Sequence, residues 1–312
     1  MPADPFDTIV PLLPSSCRPW GRGWCAAAAG ILEASAPKPG NVHPTAAFAD
    51  LTHGELVAAA LAIAPALERA AEAPLGRTIL AAVTASRGVT RSNANLGIVL
   101  AIAPLAAVPD ARCTTVQGMS PRPADVATVL AGLGAADASD VWQAIRIANP
   151  GGMGRSDRHD LAGPPPDDLL EAMRVAAPHD AIARLWSEGY ASLHAGLVAD
   201  LDAEIATGRR LDDAIVAGFL KQLAREPDSL VARKHGHAVA IDVSRRAAAA
   251  AADPARIPAF DHQLRAAGIN PGTTADLTAA ALYILLADGR LRPAPPRRTA
   301  SRDASSRREH LR

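Results

Sequence analysis

The chain has 312 residues, 49% of them hydrophobic but only 3% aromatic, so its core must be built mainly from Ala, Leu, Val and Ile. Such a core suits closely packed helices better than a β-sandwich. Basic and acidic residues balance at 32 each, but the segment 290–312 carries a net +6 and leaves −6 on the body, which argues against a nucleic-acid-binding domain.

Residues 1–21 form a proline-rich lead-in with neither a basic n-region nor a continuous apolar stretch, unlike a signal peptide. Cys17, Cys25 and Cys113 are odd in number and lack a Cys-x-x-Cys spacing, as expected for reduced thiols in a cytoplasmic protein. The longest apolar run, Leu96 to Val108, is too short for a membrane span and contains Pro104. The closing Arg/Pro/Ser segment 291–312 cannot bury apolar surface and reads as a disordered basic tail.

Between these ends, apolar residues recur at three- and four-residue steps, as in Leu211, Ile215, Phe219 and Leu223, and strand-type alternation is nearly absent. Helices are expected near 23–36, 53–73, 75–86, 95–107, 123–133 and 139–148. Further helices are expected near 167–177, 180–207, 211–225, 228–252, 258–267 and 274–287. The fold class is all-α: about a dozen helices in one bundle over residues 22–290. The irregular stretch 149–166 reads as a long functional loop within it.

Five segments carry groups suited to chemistry. In Pro37-Lys38-Pro39-Gly40 the prolines force extended backbone and Gly40 permits a left-handed turn, so Lys38 stands on a stiff strut after a helix. Lysine is rare here (only Lys38, Lys221 and Lys234), and an ammonium is a compact charge suited to phosphate. The alternative is a helix stop, with Lys38 near the negative end of the dipole. Arg233-Lys234-His235-Gly236 is a second candidate for a polyphosphate, or else a solvated helix face. In Asn270-Pro271-Gly272-Thr273-Thr274-Ala275-Asp276, a threonine is expected to cap an apolar helix. Thr273 and Asp276 stand at capping-box spacing, and the alternative gives the helix N-terminus and Asp276 to an anion or a phosphate-bound cation. Gly151, Gly152 and Gly154 suit a phosphate nest, followed by Asp157 and Asp160. Asn93 and Asn95 precede a buried helix, and one of them is expected to cap it.

Taken together in chain order, the segments resemble the triphosphoribosyl-dephospho-CoA synthase family. The resemblance spans roughly residues 22–290 and rests on Glu33 with Pro-Lys-Pro-Gly-Asn41, Asn93-x-Asn95-x-Gly97, the glycine loop leading to Asp160, Arg233-Lys234-x-Gly236 and Asn270 to Leu277. It implies a pentosyltransferase that moves the triphosphoribosyl group of ATP onto the 2′-hydroxyl of 3′-dephospho-CoA and releases adenine. On that basis Lys38 and Lys234 hold triphosphate with Arg233, Gly152, Gly154, Gly272, Thr273 and Thr274 around it. Asp160 and Asp276 bind Mg²⁺, Glu33 faces the ribose, and Asn41, Asn93 and Asn95 hydrogen-bond sugar or base. Where citrate-lyase members carry Thr-His-Lys-Gly, this chain has Asn93-Ala94-Asn95-Leu96-Gly97. It thus resembles a branch found in archaea and in bacteria with tetrahydromethanopterin-dependent one-carbon metabolism, in which another nucleotide or phosphoribosyl substrate is the alternative. A non-catalytic nucleotide-binding helical protein is a third reading, which lacks a convergent cluster of these residues.

Overall fold

The computed structural model describes residues 20–92, 94–109, 121–149 and 161–291. Asn93, the segment 150–160 that contains Gly152, Gly154, Asp157 and Asp160, most of the lead-in and most of the basic tail lie outside the described residues. Among the described residues there is no strand, only two isolated bridges, His43 with Ala46 and Phe48 with Leu51. The all-α expectation holds.

The helices are α1 (Arg22–Ser35), α2 (His53–Glu68), α3 (Leu75–Val89), α4 (Leu96–Ala106), α5 (Pro123–Ala131), α6 (Ala135–Ala148) and α7 (Leu169–Ala176). They continue as α8 (Ala181–Ser187), α9 (Ala191–Leu193), α10 (Ala199–Ala206), α11 (Leu211–Arg225), α12 (Ser229–His235), α13 (His237–Ala252), α14 (Ile257–Ala266) and α15 (Gly272–Ala287).

A helix with no polar face must be surrounded. Helix α15 is such a helix: nearly every residue from Thr273 to Leu286 is buried, and α1, α4 and α11 pack around it. Helix α1, also buried on most sides, is followed by α2, α3 and α6, each laid against the one before. The two sequence segments bearing the most specific motifs therefore meet in the middle of the molecule.

Two expected helices are divided. The segment 180–207 breaks at Gly189–Tyr190, where both residues take positive φ, and resumes as α9, a π-helical turn (His194–Val198) and α10. The segment 228–252 breaks at Gly236 into α12 and α13, so Lys234 sits in the last turn of a short helix instead of mid-helix.

The proline in α4 also has a visible consequence. Pro104 has no N–H to give the carbonyl of Leu100, and a buried carbonyl needs a donor. Trp186 Nε1 donates to Leu100 O at 2.9 Å, and the Tyr190 hydroxyl donates to Ala101 O at 2.8 Å. These bonds fix α8 against α4, and both helices contribute to the cleft described next.

Candidate functional site

The strut after α1 does not present Lys38 to solvent. The side chain is fully buried, its Nζ lies 2.9 Å from Glu33 Oε1, and it donates to the carbonyls of Glu33 and Ala36 (the latter at 3.3 Å). Those carbonyls end α1, where an ammonium is favourably placed. The expected triphosphate contact at Lys38 is thus corrected: its donors are turned inward and consumed by the helix end and by Glu33. The Glu33 carboxylate, only 5% exposed, is what this segment offers to the cleft.

Gly40 takes the expected left-handed turn at φ 77°, and its N–H donates to Asp261 Oδ1 at 2.8 Å. The next residue clasps the second motif: Asn41 Nδ2 donates to Asn270 Oδ1 at 2.7 Å, and Arg265 donates to the Asn41 carbonyl. Asn41 and Asn270 both line the cleft.

At the start of α15 the expected threonine cap and capping box do not form. Pro271 occupies the N-cap position, and no side chain of this turn caps the helix. The Thr274 N–H and hydroxyl instead donate to Asp228 Oδ2 at 2.7 and 2.8 Å. Asp228 Oδ1 meanwhile accepts from Val231 N at 3.0 Å and caps α12. Thr274 therefore faces Asp228, whereas Gly272 and Thr273 line the cleft.

With capping duty removed, Asp276 points across to the first turn of α4. A methyl group at Gly97 would overlap the Asp276 carboxyl, so the glycine of Asn95-x-Gly97 is what lets the acid approach this helix start. Burial, then the Glu33 and Asp228 carboxylates, push the Asp276 carboxyl well above the ordinary aspartate range, while Arg233 opposes the shift and Asp180 adds to it. Burial likewise raises Asp228, against its hydrogen bonds from Val231 and Thr274.

Arg233 forms an ion pair with Asp180 at 2.7 Å, and the other oxygen of Asp180 caps α8 at Ile182 and Ala183. Lys234 is exposed at the rim and forms no ion pair among the described residues. Glu33, Asn41, Arg233, Lys234, Thr273 and Asp276 all line one cleft of about 960 Å³, whose far wall is apolar and is built by α6 and α7 through Trp142, Ile145, Leu169 and Met173. That volume accommodates a nucleotide.

Buried polar atoms normally find partners. Among the described residues seven buried side-chain atoms lack one, and four of them, Asn41 Oδ1, Ser92 Oγ, Trp142 Nε1 and Arg233 Nε, belong to residues that line the cleft; His194 Nε2 and Ser244 Oγ lie elsewhere. Asn95 occupies the N-cap position of α4 without capping it through its side chain. It is buried with Nδ2 unpartnered, but it does not line the cleft. Sequence reasoning missed Asp180, Asp228 and Trp142. The first two were legible as Asp at the N-cap position before short helices; Trp142 gave no signal.

The convergence of acids, cations and a nucleotide-sized cavity agrees with comparison to known proteins. Residues 19–293 match the sequence model of the family described as ATP:dephospho-CoA triphosphoribosyl transferase. The chain belongs to this family. It is thereby a pentosyltransferase of the triphosphoribosyl-dephospho-CoA synthase type. A crystal structure of a protein from Archaeoglobus fulgidus, provisionally named a triphosphoribosyl-dephospho-CoA synthase, is similar at 26% identity and TM-score 0.58. The match covers 75% of this chain and 99% of that one. No curated protein matched. No helix among the described residues is long and apolar enough to cross a membrane.

Proposed function

We propose that the cleft binds ATP, transfers its triphosphoribosyl group to the 2′-hydroxyl of 3′-dephospho-CoA and releases adenine. The observation that carries this reading is the meeting of Glu33 and Asp276 with Arg233 and Lys234 on one cleft. Breaking the bond between ribose C1′ and adenine develops positive charge on the sugar, which a fixed carboxylate stabilises. Glu33 suits that task because the Lys38 ammonium holds it in place from behind. The same carboxylate can accept the proton of the attacking hydroxyl as the new C1′–O bond forms, and adenine leaves with the electron pair of the broken C1′–N bond and takes up a proton in exchange. The Arg233 and Lys234 cations face triphosphate oxygens, and the Arg233 Nε without a partner supplies a further donor.

Mg²⁺ fits this set as a companion of the triphosphate. Among the described residues no three His, Cys, Asp or Glu side chains gather as a metal site. Mg²⁺ commonly takes one or two carboxylates and completes its shell with substrate phosphates and water. Asp276 would hold it, with Glu33 beside it and Asp160 as a further carboxylate; the ion would neutralise the triphosphate. Asp276 lies near the Glu33, Asp228 and Asp180 carboxylates, with Arg233 opposing them, an environment that favours arrival of positive charge.

A second acceptor is favoured by one observation: Ala94 and Leu96, where the chain departs from the citrate-lyase pattern, both line the cleft. A nucleotide or phosphoribosyl acceptor of one-carbon cofactor synthesis would then replace dephospho-CoA. Incubating the protein with ATP and Mg²⁺ against each acceptor and measuring free adenine separates the two.

A further inference from the structure

Asp228 belongs to no motif singled out above, yet it stands at the joint between the two halves of the site. One oxygen caps α12 at Val231 N (3.0 Å); the other takes both donors of Thr274, in the first turn of α15, at 2.7 and 2.8 Å. Its side chain is 2% exposed, so these bonds face no competition from water. Helix α12 carries Arg233 and Lys234 in its last turn, and α15 carries Asp276 two residues after Thr274. With seven residues, α12 is too short to hold its own position by propensity. Ser229, the residue after Asp228, adds a tie to a third element by accepting from Ala181 N at 2.8 Å, at the start of α8. That is the helix whose cap, Asp180, pairs with Arg233.

We propose that Asp228 is a positioning residue that sets the register between the cation-bearing helix α12 and the acid-bearing helix α15, and so between the triphosphate and the ribose of the bound nucleotide. This rests on the transferase reading above. The physical requirement is steep, because a shift of about 1 Å between reacting groups costs on the order of 100-fold in rate. A neutral amide in place of Asp228 keeps the shape but cannot accept at both positions, since its NH₂ only donates. A hydroxyl-free residue in place of Thr274 removes one of the two bonds to Oδ2 and leaves the backbone N–H.

The test is steady-state adenine release by Asp228→Asn, Thr274→Val and Thr274→Ser, beside direct binding of inorganic tripolyphosphate. All are measured below each variant's unfolding midpoint and normalised to folded protein. Positioning gives Asp228→Asn a kcat lower by about 10- to 100-fold. Thr274→Val gives a smaller loss in the same direction, Thr274→Ser stays closer to the wild type, and tripolyphosphate affinity stays within about twofold throughout. The idea is overturned if kcat per folded molecule is unchanged in both Asp228→Asn and Thr274→Val, which is the result for a plain helix cap. It is also overturned if tripolyphosphate binding falls in parallel with kcat, which places the defect in α12 alone. A wild type that releases no adenine with any acceptor overturns the transferase reading instead, a result readily told apart from an active wild type and equally active variants.

Discussion

Lys38 Nζ lies 2.9 Å from Glu33 Oε1 inside the protein, and the same ammonium closes the C-terminal turn of α1. Removing one partner of a buried pair leaves an uncompensated charge, at a cost of about 3–5 kcal/mol. Lys38→Ala is therefore expected to lower the denaturant midpoint strongly, and any loss of activity follows from displaced Glu33. Lys38→Arg does not rescue it, because a planar guanidinium cannot occupy the small pocket formed by two carbonyls and a carboxylate. Chemical unfolding of the three proteins checks this, and an unchanged midpoint for Lys38→Ala contradicts it.

Lys234 is the opposite case. It is exposed, without an ion pair among the described residues, at the rim of the cleft. Lys234→Ala is expected to change stability by less than about 0.5 kcal/mol. It should weaken ATP and tripolyphosphate binding by roughly 10- to 150-fold, the range of a lost charge-assisted hydrogen bond. Titration calorimetry with tripolyphosphate reads the effect without requiring turnover.

Gly97 gives the Asp276 carboxyl its place at the start of α4. Gly97→Ala is expected to push Asp276 off this seat and lower kcat by on the order of 100-fold, with a stability cost of about 1–3 kcal/mol from overpacking. Gly97→Ala together with Asp276→Gly should recover the stability but not the activity. Stability that stays low in the double variant locates the clash elsewhere.

The raised pKa of Asp276 makes a signed statement about pH. The folded state holds this proton more tightly than the unfolded chain, whose ordinary value is 3.8. The proton's contribution to stability is therefore complete below that value and declines as pH rises towards the raised folded pKa. Asn at position 276 mimics the neutral acid at every pH. Asp276→Asn should thus melt a few degrees above the wild type at pH 8 and converge with it near pH 4, while losing activity. A variant less stable than wild type at pH 8 contradicts the burial argument.

How much of this was legible in the sequence depends on the range of the force involved. Helices show in the three- and four-residue apolar steps, but the break at Gly236, inside a segment expected to be one helix over 228–252, does not. The clasp of Asn41 to Asn270 is not among the expectations, which gave Asn41 to sugar or base, because nothing local at residue 41 points 229 positions ahead. The same limit applies to Lys38. Rarity and rigidity described its own segment correctly, but whether an ammonium faces solvent or Glu33 is decided by what packs over it, which includes the Phe219 ring of α11. Thr273 and Asp276 had capping-box spacing, yet the helix begins at Gly272, which places Thr273 inside it, and Thr274 gives its N–H to Asp228, 46 residues earlier. A local cap pattern does not say where the helix starts or which distant carboxylate meets its first N–H groups.

The central claim is that one cleft brings the sugar-facing acids and the phosphate-facing cations to a single nucleotide. Its most direct test is free adenine released from ATP and Mg²⁺ with and without 3′-dephospho-CoA, by the wild type and by Glu33→Gln. The expected result is adenine release that requires the acceptor, forms one triphosphoribosylated product per adenine, and falls by at least about 100-fold in Glu33→Gln, in line with loss of a fixed transition-state charge. Wild-type activity that survives in Glu33→Gln would contradict the assignment of the site, and no acceptor-dependent adenine with dephospho-CoA or any related acceptor would contradict the reaction.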